Sequence, residues 1–129
     1  MATVIVIDDD DKVRTMMRQA LERAGHEVVE AGDGRAGLEL YRRHPPDVVV
    51  TNIYMPERDG LEVIREIRRQ RHRVPVIAVS GGVSMRAGSG AIGGVLDAAR
   101  QLGAASVLAK PFDIGQLLSA VAAALASPA

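Results

Sequence analysis

The chain has 129 residues, 47% of them hydrophobic but only 2% aromatic, with 16 basic and 16 acidic residues and no cysteine. That length suits one domain around an aliphatic core, and the missing cysteines exclude disulfides and thiolate metal sites. Zero formal charge gives no bulk electrostatic case for direct nucleic-acid or membrane binding, and no apolar run approaches the roughly 20 residues of a membrane span.

Two periods alternate along the chain. Val4-Ile5-Val6-Ile7 is a continuous β-branched run, as expected of a strand buried on both faces. It begins so early that no signal peptide is expected, which makes the cytoplasm the expected location. Val13, Met16, Met17, Ala20, Leu21 and Ala24 then recur at the spacing of one helix face. Asp10 or Asp11 can cap that helix and Gly25 can end it. Val28-Val29 reads as a second strand. Asp33 precedes a helix carrying Ala36, Leu40 and Tyr41, closed before Pro45-Pro46. Val48-Val49-Val50 is a third strand. Asp59 can cap a helix with Val63, Ile64 and Ile67 inward, and Val76-Ile77-Ala78-Val79 is a fourth strand.

A helix is expected within 91–102, ending near Gly103, and Val107-Leu108-Ala109 is a fifth strand. Asp113 can cap a last helix with Leu117, Leu118, Val121 and Leu125 inward. Five strands alternating with five helices predict one doubly wound parallel α/β sheet over 1–126, with 127–129 as a tail or the start of a linker. The stretch 81–94 holds six of the 13 glycines and reads as a loop longer than usual for a strand–helix connection.

Polar residues gather at one end of this aliphatic sheet. Asp8 and Asp9 close the first strand, Asn52 the third, Ser80 the fourth and Lys110 the fifth. Ligands of open parallel sheets sit beyond the carboxyl ends of the strands, where strand order reverses. Two adjacent carboxylates there repel each other, so one needs a cation or a shifted pKa, and Mg²⁺ suits oxygen ligands. A lysine is a point charge suited to a phosphoryl oxygen, and a serine hydroxyl can donate to another.

These residues resemble the receiver domain of two-component response regulators. The resemblance rests on Val6-Ile7-Asp8-Asp9, on Asn52-Ile53-Tyr54-Met55-Pro56 with Asp59-Gly60, on Ser80-Gly81 and on Lys110-Pro111-Phe112, and it covers nearly the whole chain. It implies a flavodoxin-like sheet with strand order 2-1-3-4-5. It implies that Asp9 binds Mg²⁺ directly and Asp8 directly or through water, with the Tyr54 backbone carbonyl as a further ligand. Ser80 and Lys110 would contact the phosphoryl group, and the Lys110-Pro111 bond would be cis.

The resemblance also puts the phosphate-accepting aspartate on Asn52. A neutral carboxamide is no nucleophile, so an acyl phosphate is not expected there. Mg²⁺ is expected to bind more weakly without that carboxylate. Two further departures are Val107, where the family usually has Tyr or Phe, and the long Gly81–Gly94 loop.

The implied function is a receiver module of a phosphorelay, not an enzyme in this form, with a histidine kinase or phosphotransfer protein and an output protein as partners. The alternative is a pseudo-receiver, a phosphate-independent docking module. Plainer readings stand beside these. The run Asp8-Asp9-Asp10-Asp11 can act in helix capping, Asn52 as a turn residue, and Ser80 and Lys110 as strand-end and surface groups. Gly88-Ser89-Gly90-Ala91-Ile92-Gly93 has dinucleotide-loop spacing but does not follow the first strand, which argues against a nucleotide site. His26, His44 and His72 are scattered, which argues against zinc. The basic run Arg65–Arg73 reads as a solvated helix face or docking patch.

Overall fold

Strand β1 (Thr3–Ile7) shows how two cores arise from one β-branched run: Ile5 and Ile7 face one layer, Val4 and Val6 the other. The remaining strands are β2 (Glu27–Ala31), β3 (Val48–Asn52), β4 (Val76–Ser80) and β5 (Ser106–Ala109). They form one parallel sheet in the order β2-β1-β3-β4-β5. This computed structural model describes residues 2–55, 59–70, 73–80 and 98–126.

Helices α1 (Asp11–Arg23), α2 (Gly34–Arg43), α3 (Gly60–Arg69), α4 (described over 98–101) and α5 (Ile114–Ala126) complete the alternation. On one face Met17 and Leu21 of α1 and Leu117 and Val121 of α5 pack on Val4, Val6, Val48, Val50, Ile77 and Val79. On the other, Leu38 and Tyr41 of α2, Val63, Ile64 and Ile67 of α3 and Ala99 of α4 pack on Ile5, Ile7, Val49, Val76 and Ala78. The doubly wound, flavodoxin-like fold with strand order 2-1-3-4-5 is therefore the one expected.

The caps follow the expected chemistry. Asp10 caps α1 by accepting from the N–H groups of Lys12 and Val13, Asp33 caps α2, and Asp59 caps α3. Asp113 and Gln116 form a reciprocal capping box at α5, at 2.8 and 2.9 Å. Gly25, at φ +94°, ends α1 in the left-handed region open to glycine.

Two expectations need correction. Leu125 is 37% exposed, and Ala124 takes the inward place with Leu117 and Val121. At 3.6 residues per turn Leu125 is rotated about 80° from Leu117, which carries it to the rim. Arg68 does not belong to a solvated basic face. Its guanidinium donates to the carbonyls of Val74 (2.9 Å) and Gly103 (2.8 Å), tying α3 to the approaches of β4 and β5, and burial lowers its pKa.

His26 is half-buried and His44 is the exposed C-cap of α2, and no group of three metal-ligating side chains occurs among the described residues. The Gly81–Gly94 loop, His72 and the 127–129 tail lie outside the described residues. No described helix is long and apolar enough to cross a membrane.

Candidate functional site at the carboxyl edge of the sheet

Strand register builds the site. Ile7 is paired with Thr51, so Asp8 and Asn52 follow side by side at the ends of β1 and β3. Asn52 is in turn level with Val79, and Ser80 with Ala109, which puts Ser80 and Lys110 next along the same edge. The Lys110 N–H donates to the Ser80 carbonyl at 2.6 Å, and the following Lys110-Pro111 bond is cis. Asp8, Asn52 and Ser80 are buried polar residues, whereas Asp9 is exposed.

The buried Asp8 and Asn52 side chains both have identified partners. The fully buried Asp8 accepts from the Asp10 backbone N–H at 2.9 Å and from the Lys110 ammonium at 3.3 Å. Burial pushes the Asp8 carboxyl above its ordinary pKa, while the Asp10 N–H and Lys110 pull it back. The Asn52 amide nitrogen donates to Asp9 Oδ1 at 3.2 Å and to the Tyr54 carbonyl at 2.9 Å. Those two acceptors fix the orientation of the amide. Turned over, it would set its own oxygen against a carboxylate and a carbonyl. The Tyr54 ring itself is exposed.

The four residues named for metal, Asp8, Asp9, Asn52 and Tyr54, are thus brought together, with Lys110 beside them. Both Asp8 oxygens, Asp9 Oδ1 and the Tyr54 carbonyl oxygen, however, already face N–H donors. Mg²⁺ needs lone pairs at about 2.0–2.1 Å in near-octahedral array. The amide protons of Asn52 point at two of the oxygens that would supply them. As it stands, a divalent cation entering here has to displace those N–H donors.

Two contributors were given no role of their own by the sequence reading. Arg14 of α1 donates to the Asp8 backbone carbonyl at 2.8 Å, and is held by Glu30 at 2.9 Å and Asp11 at 2.6 Å. Its spacing from Asp11, one helical turn along the face beside the acidic cluster, was the available signal. Gly60 is the other. A Cβ there would collide with the Asn52 carbonyl oxygen and lie 2.8 Å from Ile53 Cα, so its bareness lets α3 start directly on the end of β3.

Comparison with known proteins agrees with this fold. The family described as the response regulator receiver domain matches residues 4–122. The transcriptional regulatory protein PdtaR of Mycobacterium tuberculosis is 34% identical over 119 residues, covering 92% of this chain and 54% of that protein. This chain spans about half or less of the length of the curated relatives it matches, for example 49% of the response regulator MprA of Mycolicibacterium vanbaalenii and 25% of a Bradyrhizobium NtrC. Among solved structures, the receiver domain of NtrX from Brucella abortus superposes with a TM-score of 0.84 at 26% identity, covering 97% of this chain and 99% of that one.

Proposed function

The chain belongs to the response regulator receiver domain family, and from that premise we propose that it is a receiver module that does not take up a phosphoryl group at position 52. Receivers of two-component systems work with histidine kinases and output domains, and generally bind Mg²⁺ where they are phosphorylated. Here the residue in the acceptor position is Asn52, whose amide is no nucleophile and is already engaged with Asp9 and Tyr54. That observation carries the reading.

Self-phosphorylation and dephosphorylation, the catalysis of such domains, are then absent, and Mg²⁺ binding is weak. A second reading, a phosphate-independent docking module, draws support from Lys110. Its ammonium pairs with Asp8, and so already has an anion without any phosphate. Signalling would then depend on which partner recognises this fixed form. The partners are a histidine kinase or phosphotransfer protein and an output protein, met in the cytoplasm. Direct nucleic-acid contact is not proposed for this electrically balanced span, although several longer relatives are named transcriptional regulators.

Intact-mass measurement after incubation with acetyl phosphate and Mg²⁺ tests the first reading. The chain is expected to stay unmodified and Asn52→Asp to gain one phosphoryl group. An adduct on the Asn52 chain overturns the chemistry. A revertant that also stays unmodified removes the phosphorelay reading and leaves docking alone.

A further inference from the structure

The Asn52 side chain forms a bridge between groups that would otherwise need a cation. Its two amide protons reach Asp9 Oδ1 at 3.2 Å and the Tyr54 carbonyl at 2.9 Å, linking the β1–α1 turn to the turn after β3. Lys110, at 3.3 Å, supplies positive charge to Asp8, whose other oxygen accepts the Asp10 N–H. The carboxylates of Asp8 and Asp9 are therefore each met by donors from within the chain.

We propose that the Asn52 amide is a built-in substitute for the divalent cation: its NH₂ group holds the Asp9 and Tyr54 oxygens together and keeps Mg²⁺ out. This deepens the receiver reading and rests on it. It also differs from a plain loss of one anionic ligand. If ligand loss were the whole effect, removing the amide as well could only weaken metal binding further. If the amide is the occupant, removing it frees two oxygen ligands and metal binding improves. A cation entering the Asn52 site must break two hydrogen bonds, one of them to a charged carboxylate.

Mg²⁺ titration by calorimetry of the chain, Asn52→Ala and Asn52→Asp separates the two accounts. The expected order of affinity is Asn52→Asp, then Asn52→Ala, then the chain itself, with Asn52→Ala about tenfold tighter than the chain. Equal or weaker binding by Asn52→Ala overturns the proposal while leaving the receiver reading intact. Absence of Mg²⁺ binding in Asn52→Asp overturns both. Should Asn52→Ala fail to fold, the unaltered protein still decides. Its Asn52 side-chain NH₂ resonances are expected to be slow in hydrogen exchange and unmoved by millimolar Mg²⁺. Fast exchange, or a saturable shift with Mg²⁺, overturns the proposal.

Discussion

Burial pushes the Asp8 carboxyl above the ordinary 3.8 of an aspartate, against the pull of the Asp10 N–H and the Lys110 ammonium. The sign matters for stability. An acid whose folded pKa is raised binds its proton more tightly in the folded state. Its contribution favours folding below 3.8 and is lost as pH rises through the higher folded value. Lys110 limits that loss. Lys110→Met is therefore expected to raise the Asp8 midpoint further, read from the Asp8 carboxyl carbon resonance against pH. A midpoint that stays put or falls would mean the ammonium does not act on Asp8. At this scale the sequence named the participants, since Asp8, Asp9, Asn52 and Lys110 all stand in motifs. It could not say which donor meets which oxygen. Lys110 lies 102 positions from Asp8, and their meeting depends on the register of four strands.

The elements were far more legible. A run such as Val48-Val49-Val50 is buried on both faces because helices cover both, and such burial writes itself as uninterrupted β-branched sequence. Aspartates before α1, α2 and α3 announced their caps. Positions whose role depends on a neighbour were not legible in that way. Arg68 sits in a basic run, yet its partners are carbonyls contributed by other segments. Gly60 looks like a turn residue, yet its role is the close approach of α3 to β3. Intrinsic propensity predicts that Gly60→Ala gains about 1 kcal/mol. The contact with backbone atoms of Asn52 and Ile53 predicts the opposite, because backbone cannot swing aside as a flexible side chain can. A net loss of about 1–3 kcal/mol in urea denaturation is expected, typical of an overpacked site. A stabilised Gly60→Ala would show that α3 has room to shift off the strand end.

In the whole molecule the sheet itself does not depend on Asn52. Two aliphatic layers fix it, and the polar edge is supported rather than supporting. The edge nevertheless joins separate parts of the chain, and its charge balance affects total stability. Asn52→Asp exchanges a neutral donor for a third carboxylate beside Asp8 and Asp9. Like charges a few ångströms apart repel, by about 1–3 kcal/mol at the effective dielectric of a partly buried site. With a chelator present, Asn52→Asp is therefore expected to melt several degrees below the unaltered chain. Adding Mg²⁺ to about a hundredfold above its dissociation constant returns about 2.7 kcal/mol by mass action, enough to close the gap. The unaltered chain should melt at one temperature with or without the ion. Calorimetric melts of both proteins, with chelator and with Mg²⁺, give the comparison. If Asn52→Asp proves as stable in chelator as its parent, the acidic edge tolerates a third charge without help, and neither the amide nor the ion is needed to hold it together.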